Sequence, residues 1–298
     1  MAAETVELIR ENDIVVEKKY RMSYDEFAEK HLFANYPVVI GDACAAWSAK
    51  DKFTPEFFKK HYSDREVEIR GKTYNLGEYI DWMLVGDESN PAPYPCTLQI
   101  ERDYPELLPD VLPRLKYALP DRISSKLFPN RLLAGANTLE IFFGSPGAMF
   151  PYVHYDYMSL HAYITQLYGQ KEFTVIPPDQ TPYVYPDPKN SWVSMVNDIY
   201  NPDLEKYPLF AKTTPVSFVV GPGETLFIPC GWWHTARSIT PTISVALDCL
   251  NSSNWKQFMN EVDINMKQRK PKIAPAVQTY LSVLGGVLGT LEKAGVSV

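Results

Sequence analysis

Five histidines occur in 298 residues, and two of them stand in settings that suit metal chemistry. His154 lies two residues before Asp156 in the run Pro151-Tyr152-Val153-His154-Tyr155-Asp156, and His234 closes the run Gly231-Trp232-Trp233-His234. If residues 152–156 form a strand, side chains alternate, so His154 and Asp156 leave one face about 7 Å apart. A third ligand brought by a distant strand then completes a triangle. Two imidazoles and one carboxylate leave three positions open on a metal, which suits non-haem Fe(II) taking a co-substrate and O2. By itself, His154-x-Asp156 is more often a hydrogen-bonded surface pair. The frame of His234 shifts that balance. Gly221 to Pro229 reads as a tight turn and a buried strand, a second turn follows, and bulky rings then hold the imidazole and wall off water. Lys171 is the fourth member, in Gly169-Gln170-Lys171-Glu172-Phe173. Pointing inward at a barrel mouth, it could pair with an acid co-substrate as a point charge; an exposed turn lysine is the commoner case.

The elements that position these groups change texture along the chain. Ile14-Val15-Val16 reads as a short strand in a charged frame. Ser23 to Glu26 fits a capping box opening a helix to about His31. Pro37 to Ile40 reads as a buried strand, Thr54-Pro55 opens a second helix, residues 67–74 form a hairpin, and a third helix spans 76–85. Residues 97–100 suggest another strand, and 101–130 read as irregular with short helical turns. From Leu139 the pattern becomes many short strands between Gly/Pro turns: Leu139–Phe143, Tyr152–Asp156, His161–Leu167, Phe173–Ile176, Ser217–Val220, Thr225–Ile228 and Thr242–Leu247. That is the pattern of a β-sandwich or barrel. The proline-rich, aromatic segment 178–215 is expected to be an insertion over one mouth. After Asn254 the pattern is helical, with a one-sided apolar stripe through Val277, Tyr280, Leu281, Leu284, Leu288 and Leu291. Gly285, Gly286 and Gly289 interrupt this stripe at a cost to helix stability, so a close helix packing partner is expected.

Composition bounds the function classes. The net charge is −7, which argues against nucleic acid as the main partner, because phosphate contacts need a basic surface. Cys44, Cys96, Cys230 and Cys249 show no C-x-x-C pair, so free thiols in a reducing compartment are expected, cytoplasmic or nuclear rather than secreted. The N-terminal stretch is charged where a signal peptide needs an apolar core. No run of 18 apolar residues occurs, so no membrane span is expected.

The order H-Y-D, then Gly169 to Pro178 (G-Q-K-E-F-T-V-I-P-P), then V-G-P-G-E-T-L-F-I-P-C-G-W-W-H ending at His234 resembles the jumonji-C, or cupin-like, family of Fe(II)- and 2-oxoglutarate-dependent oxygenases, in its hydroxylase type. The likeness covers nearly the whole chain. It implies a mainly β fold with flanking helices: a double-stranded β-helix (jelly-roll, cupin-like) barrel, with helical N-terminal elements and C-terminal helices. It implies a catalytic domain over 1–253, with its barrel core at about 94–253, and a helical extension over 254–298 that serves dimerisation. His154, Asp156 and His234 match the iron ligands, and Lys171 matches the lysine that pairs with the distal carboxylate of 2-oxoglutarate. Pro151 stands where such hydroxylases often carry a threonine, and no asparagine follows H-x-D on the next strand. Thr165, Tyr163 or His161 is expected to substitute, and Tyr94 or Thr97 to add a carboxylate contact. His161 reads first as a satisfied core histidine, Tyr155 and Tyr157 as core, and Tyr152 as a substrate-side group. One of Trp232 and Trp233 lining the cavity is an even proposition. The implied reaction consumes O2 and 2-oxoglutarate, releases succinate and CO2, and hydroxylates a protein or peptide side chain. A small-molecule substrate, a cupin enzyme without 2-oxoglutarate and a non-catalytic jelly-roll adaptor are the competing readings.

Overall fold

The computed structural model describes residues 14–133 and 138–295; the charged N-terminal stretch through residue 13 lies outside them. Twelve strands are present among the described residues. The first five are β1 (Lys18–Lys19), β2 (Val38–Ile40), β3 (Glu66–Ile69), β4 (Lys72–Asn75) and β5 (Cys96–Gln99). Then come β6 (Leu139–Gly144), β7 (His161–Tyr168), β8 (Lys171–Ile176) and β9 (Val216–Val220). The last three are β10 (Thr225–Ile228), β11 (Trp233–Ser238) and β12 (Thr242–Cys249). They form a seven-stranded sheet in the order β1-β2-β10-β7-β12-β6-β5, a three-stranded sheet in the order β11-β8-β9, and the hairpin β3-β4. The two larger sheets face one another as the expected jelly roll.

Period-two alternation explains how one sheet serves two purposes. On β6, Leu139, Ile141 and Phe143 enter the main core, while Glu140 and Phe142 face a cavity. On β12, Ile243, Val245, Leu247 and Cys249 enter that core, while Ser244, Ala246 and Asp248 face the cavity. On β7, Tyr163 and Leu167 go to the core, and Ala162 and Ile164 to the cavity. The core face is covered by helices α1 (Tyr24–Phe27, continued as a π-helix over Ala28–Leu32), α2 (Ala49–Lys52), α3 (Pro55–Tyr62), α4 (Leu76–Val85) and α5 (Ile100–Asp103). Their caps follow the sequence: Ser23 Oγ accepts from the Glu26 N–H, and Thr54 Oγ1 accepts from the Phe57 N–H. Fully buried rings such as Phe27, Phe58 and Tyr79 each contribute on the order of 2 kcal/mol of apolar burial.

Four expectations are corrected. Ile14 to Val16 form no strand; Ile14 and Val16 pack as partly buried side chains, and the short strand lies at Lys18–Lys19, parallel to β2. Tyr152–Asp156 is not a regular strand either. Pro151 has no N–H to donate, and only His154 makes ladder-type bridges, to Val193 and His234. Conversely, β11 was not expected, because W-H-T-A-R-S lacks an apolar alternation, yet it pairs with β8 along its full length. Finally, the C-terminal helix is long and apolar enough, by length and composition, to cross a bilayer, although scattered Gln, Thr and Ser break any continuous apolar run.

The C-terminal helices are α6 (Trp255–Arg269) and α7 (Ala274–Lys293). Trp255, Phe258 and Val262 of α6 share one core with Leu281, Leu284 and Leu288 of α7, and with Phe128, Met158, Leu160 and Leu250 at the end of the barrel. Gly285 is where the close approach occurs, and the partner belongs to the same chain: a Cβ there would collide with the Trp255 indole. A Cβ on Gly286 meets nothing within 4 Å. Gly285→Ala should therefore lower stability by about 1–3 kcal/mol through overpacking. Gly286→Ala should raise it by about 0.5–1 kcal/mol through helix propensity. Denaturant unfolding of the two variants checks the opposite signs.

Candidate metal centre

His154 and His234 are brought together by the backbone itself. The His154 N–H donates to the His234 carbonyl at 3.0 Å, and the His234 N–H donates back to the His154 carbonyl at 2.6 Å. This reciprocal pair sets the two rings side by side, with centroids 4.4 Å apart. On the other flank the segment is held by the insertion: Tyr155 N–H donates to Trp192 O, and Ser194 N–H donates to Val153 O. After Asp156 the chain reverses through two left-handed residues, Met158 (φ 61°) and Ser159 (φ 54°). Helix α6 braces this reversal. Asn254 Nδ2 donates to the Ser159 carbonyl at 3.0 Å, and Tyr155 Oη donates to Glu261 at 2.9 Å.

One ligand atom each from His154, Asp156 and His234 lies within 4.8 Å of the other two, and His234 Nε2 is 3.9 Å from Asp156 Oδ1. His234 Nδ1 donates to the Trp232 carbonyl at 3.0 Å, which orients the ring and turns Nε2 toward Asp156. The His154 ring is buried, and its Nδ1 has no hydrogen-bond partner among the described residues. Burial, then the neighbouring His234, pushes the His154 imidazolium well below the usual range, so the ring is neutral. Burial raises the Asp156 carboxyl, only partly opposed by His234. Two imidazoles and a buried carboxylate at this separation fit a divalent cation, which would offset the cost of burying the carboxylate.

The triad opens onto a cavity of about 530 Å³ between the two sheets. Lys171 lies in its wall, only 3% exposed. Its Nζ donates to Ser244 Oγ at 2.9 Å and to Tyr94 Oη at 3.4 Å, and it sits over the Tyr94 and Phe142 rings. All these partners are neutral, and burial pulls the ammonium down to about 7. Phe150, Tyr152 and Trp192 line the mouth around His154.

Of the expected co-substrate contacts, Tyr94 reaches the cavity. Thr165 does not: it lies on the opposite face of β7 and shares a hydrogen bond with Thr225 at 2.9 Å. Thr97 pairs in register with Phe142 but sits on the outer strand β5 and does not line the cavity. Tyr163 donates to the Tyr117 carbonyl within the core. His161 is a satisfied core histidine, with Nδ1 accepting from the Cys230 N–H and Nε2 meeting Ser253 Oγ; burial lowers it to about 3. Neither Trp232 nor Trp233 lines the cavity. Their indoles donate to Asn35 O and Thr181 Oγ1. Tyr155 is packed on Trp233 as expected, but Tyr157 turns into the cavity, because the chain has left the extended conformation by that point. Sequence reading missed Glu140, Phe142, Ser244 and Asp248, although the alternation of β6 and β12 places all four on one face.

Residues 24–249 match the family model of the cupin-like domain. The chain belongs to that family, in its jumonji-C branch. It is 24% identical over 277 residues to arginine-specific demethylase JMJ20 of Arabidopsis thaliana, covering 80% of this chain and 59% of that protein. It is 24% identical to lysine-specific demethylase 8 of Xenopus tropicalis, with 80% and 53% covered. To tRNA wybutosine-synthesizing protein 5 of Gallus gallus it is 28% identical, with 77% and 63% covered. The chain thus spans little more than half the length of the first two. The jumonji-C branch uses Fe(II) and 2-oxoglutarate, and the donor set found here is the one such a centre needs.

A lysine whose folded pKa is depressed leaves the unfolded chain holding the extra proton between about pH 7 and 10.4. Its contribution to stability is therefore worst below pH 7 and improves as pH rises through that window. Lys171→Met should stabilise the metal-free protein at pH 7 by about 2–4 kcal/mol. The gain should shrink toward pH 10, as followed by denaturant unfolding.

Proposed function

We propose that this protein is an Fe(II)- and 2-oxoglutarate-dependent hydroxylase acting on a protein or peptide side chain. The observation that carries the proposal is the convergence in one cavity of His154, Asp156 and His234 with a buried lysine that has no anionic partner among the described residues. Bound Fe(II) would supply the redox chemistry that couples O2 and 2-oxoglutarate consumption to oxidation of a C–H bond. The protein's part is positioning. His154, Asp156 and His234 would hold the metal at the cavity wall. Lys171 restores its own charge on meeting the distal carboxylate of the co-substrate, and the Ser244 and Tyr94 hydroxyls orient its Nζ. Phe150, Tyr152 and Trp192 limit water at the mouth.

The demethylase names of two relatives fit a protein substrate, and the mouth opens beside the insertion that carries Trp192. The wybutosine-synthesizing relative is named for a tRNA, but a net charge of −7 disfavours a polyanion here. The exposed Tyr280, Val283 and Val287 on α7 support a homodimer through this helix, which light scattering at micromolar concentration tests. The four buried free thiols fit a reducing compartment, cytoplasmic or nuclear.

Anaerobic protein given Fe(II) and 2-oxoglutarate, then O2, should release succinate even without substrate, and Asp156→Ala and His234→Ala should reduce that to background. Absence of succinate from the wild type would reject the proposal. Lys171→Ala should raise the 2-oxoglutarate KM at least tenfold. Because the free ammonium titrates near 7, wild-type KM should be lower at pH 6.5 than at pH 8.5, and binding at pH 8 should take up a proton. Calorimetry in buffers of different ionisation enthalpy measures that uptake.

A further inference from the structure

The two imidazoles are set by the backbone bonds that His154 and His234 exchange, but Asp156 takes no part in that exchange. A second set of hydrogen bonds, behind the site, joins the segment presenting Asp156 to the segment presenting His234, and His161 stands at its centre. A backbone N–H can only donate, so His161 Nδ1 accepts from the Cys230 N–H at 3.0 Å. Burial pushes the His161 imidazolium down to about 3. The ring is therefore neutral, with its proton on Nε2, and donates to Ser253 Oγ at 2.8 Å. Ser253 Oγ and its N–H both donate to Asn251 Oδ1, at 2.8 and 2.9 Å. The Asn251 N–H donates to Asn254 Oδ1 at 2.8 Å. Asn254 Nδ2 then donates to the carbonyls of Ser159 and Cys249, at 3.0 and 3.1 Å.

Each end of this chain of bonds comes close to a candidate ligand. The Ser159 N–H donates to the Asp156 carbonyl at 3.1 Å, so the residue that Asn254 grips also grips Asp156. At the other end, Cys230 opens the turn through left-handed Gly231 (φ 79°) to Trp232, whose carbonyl accepts from His234 Nδ1. His161, Asn251 and Asn254 are buried, and Ser253 is half-buried. Asn254 stands at the N-cap position of α6, where an asparagine side chain ordinarily accepts from the first helical N–H groups. Here it makes no cap bond, and its amide is turned to the two carbonyls instead. Packing alone at position 161 would be met by a ring or aliphatic group, as Tyr163 and Leu167 meet it on the same face of β7.

We propose that His161 is a positioning residue for the metal centre. Through Cys230 on one side, and Ser253, Asn251 and Asn254 on the other, it sets the separation of His234 from Asp156. It does not line the cavity, and its two ring bonds go to Cys230 and Ser253 rather than to a ligand. A buried network whose members are all satisfied rigidifies what it joins. The cation thus meets ligand atoms already held within 4.8 Å of one another and does not have to order them. The inference rests on the metal-centre reading above.

Ser253 is the half-buried link, so Ser253→Ala breaks the chain of bonds with least disturbance of the core. The metal-free full chain is titrated anaerobically with Co(II), reading the dissociation constant and the visible spectrum of the bound ion. Thermal unfolding without metal is followed in parallel. Ser253→Ala and His161→Phe should each raise the dissociation constant about tenfold, the low end of the cost of losing a partner that supports a ligand. Both should also shift the Co(II) spectrum. Ser253→Thr, which keeps the hydroxyl, should bind as the wild type does. The double variant should bind no more weakly than His161→Phe alone, because both changes break one chain. A lowered melting temperature in Ser253→Ala, with dissociation constant and spectrum unchanged, marks a purely structural role and overturns the proposal. Ser253→Thr binding as weakly as Ser253→Ala overturns it too. Wild-type protein that binds no Co(II) overturns the metal-centre reading itself, a failure seen before any variant is made.

Discussion

The site depends on two backbone hydrogen bonds exchanged between His154 and His234. They join a segment that is not a regular strand to the edge of the three-stranded sheet, and the pair they join is the pair of candidate imidazole ligands. In an antiparallel pair, residues that exchange both bonds are held about 5.5 Å apart at Cα, with side chains on one face. The imidazoles are therefore juxtaposed by the ladder before any metal is considered. Asp156 follows two residues on, and the turn behind it is set by left-handed residues that α6 holds in place.

The remainder of the wall follows from alternation in the seven-stranded sheet. One face of β6 and β12 is apolar and buried under the N-terminal helices, and the matching face of β7 adds Tyr163 and Leu167 together with the buried polar residues His161 and Thr165. The other carries Lys171's hydroxyl partner, two carboxylates and small residues. Apolar burial on the first face is what makes the polar second face affordable. A buried lysine and a carboxyl group set beside like charge both detract from stability, and they concentrate in the wall of the candidate site. That is the pattern expected where function and stability compete.

Much of this was legible in the sequence. The jelly roll could be read from short strands at regular spacing, and the candidate metal triad from two histidine motifs in order. The turn residues were legible too: Thr54-Pro55 and Ser23 cap helices as local chemistry requires. What was not legible depended on tertiary context. The extended run at 152–156 reads as a strand until Pro151 and the insertion on its flank are considered. Strand β11 has no apolar alternation because one of its faces belongs to the site. Thr165 was assigned to the co-substrate by type, but its parity on β7 turns it to Thr225. Asp248 was overlooked because an acid at the end of an apolar strand resembles a strand terminus. Gly285 pointed correctly to a close packing partner, which proved to be Trp255 of the same chain.

The bracing of the Asp156 turn by α6 makes ligand binding and helix docking a linked equilibrium. Asn254 and Glu261 hold the segment that presents Asp156, and Arg269 closes the same helix at the cavity rim. Whatever free energy a metal ion gains from a correctly held Asp156 must appear, by reciprocity, as added resistance of α6 to undocking. Helix α7 shares its core with α6. A surface some distance from the metal is thereby energetically in contact with it, through packed side chains and a single turn of backbone.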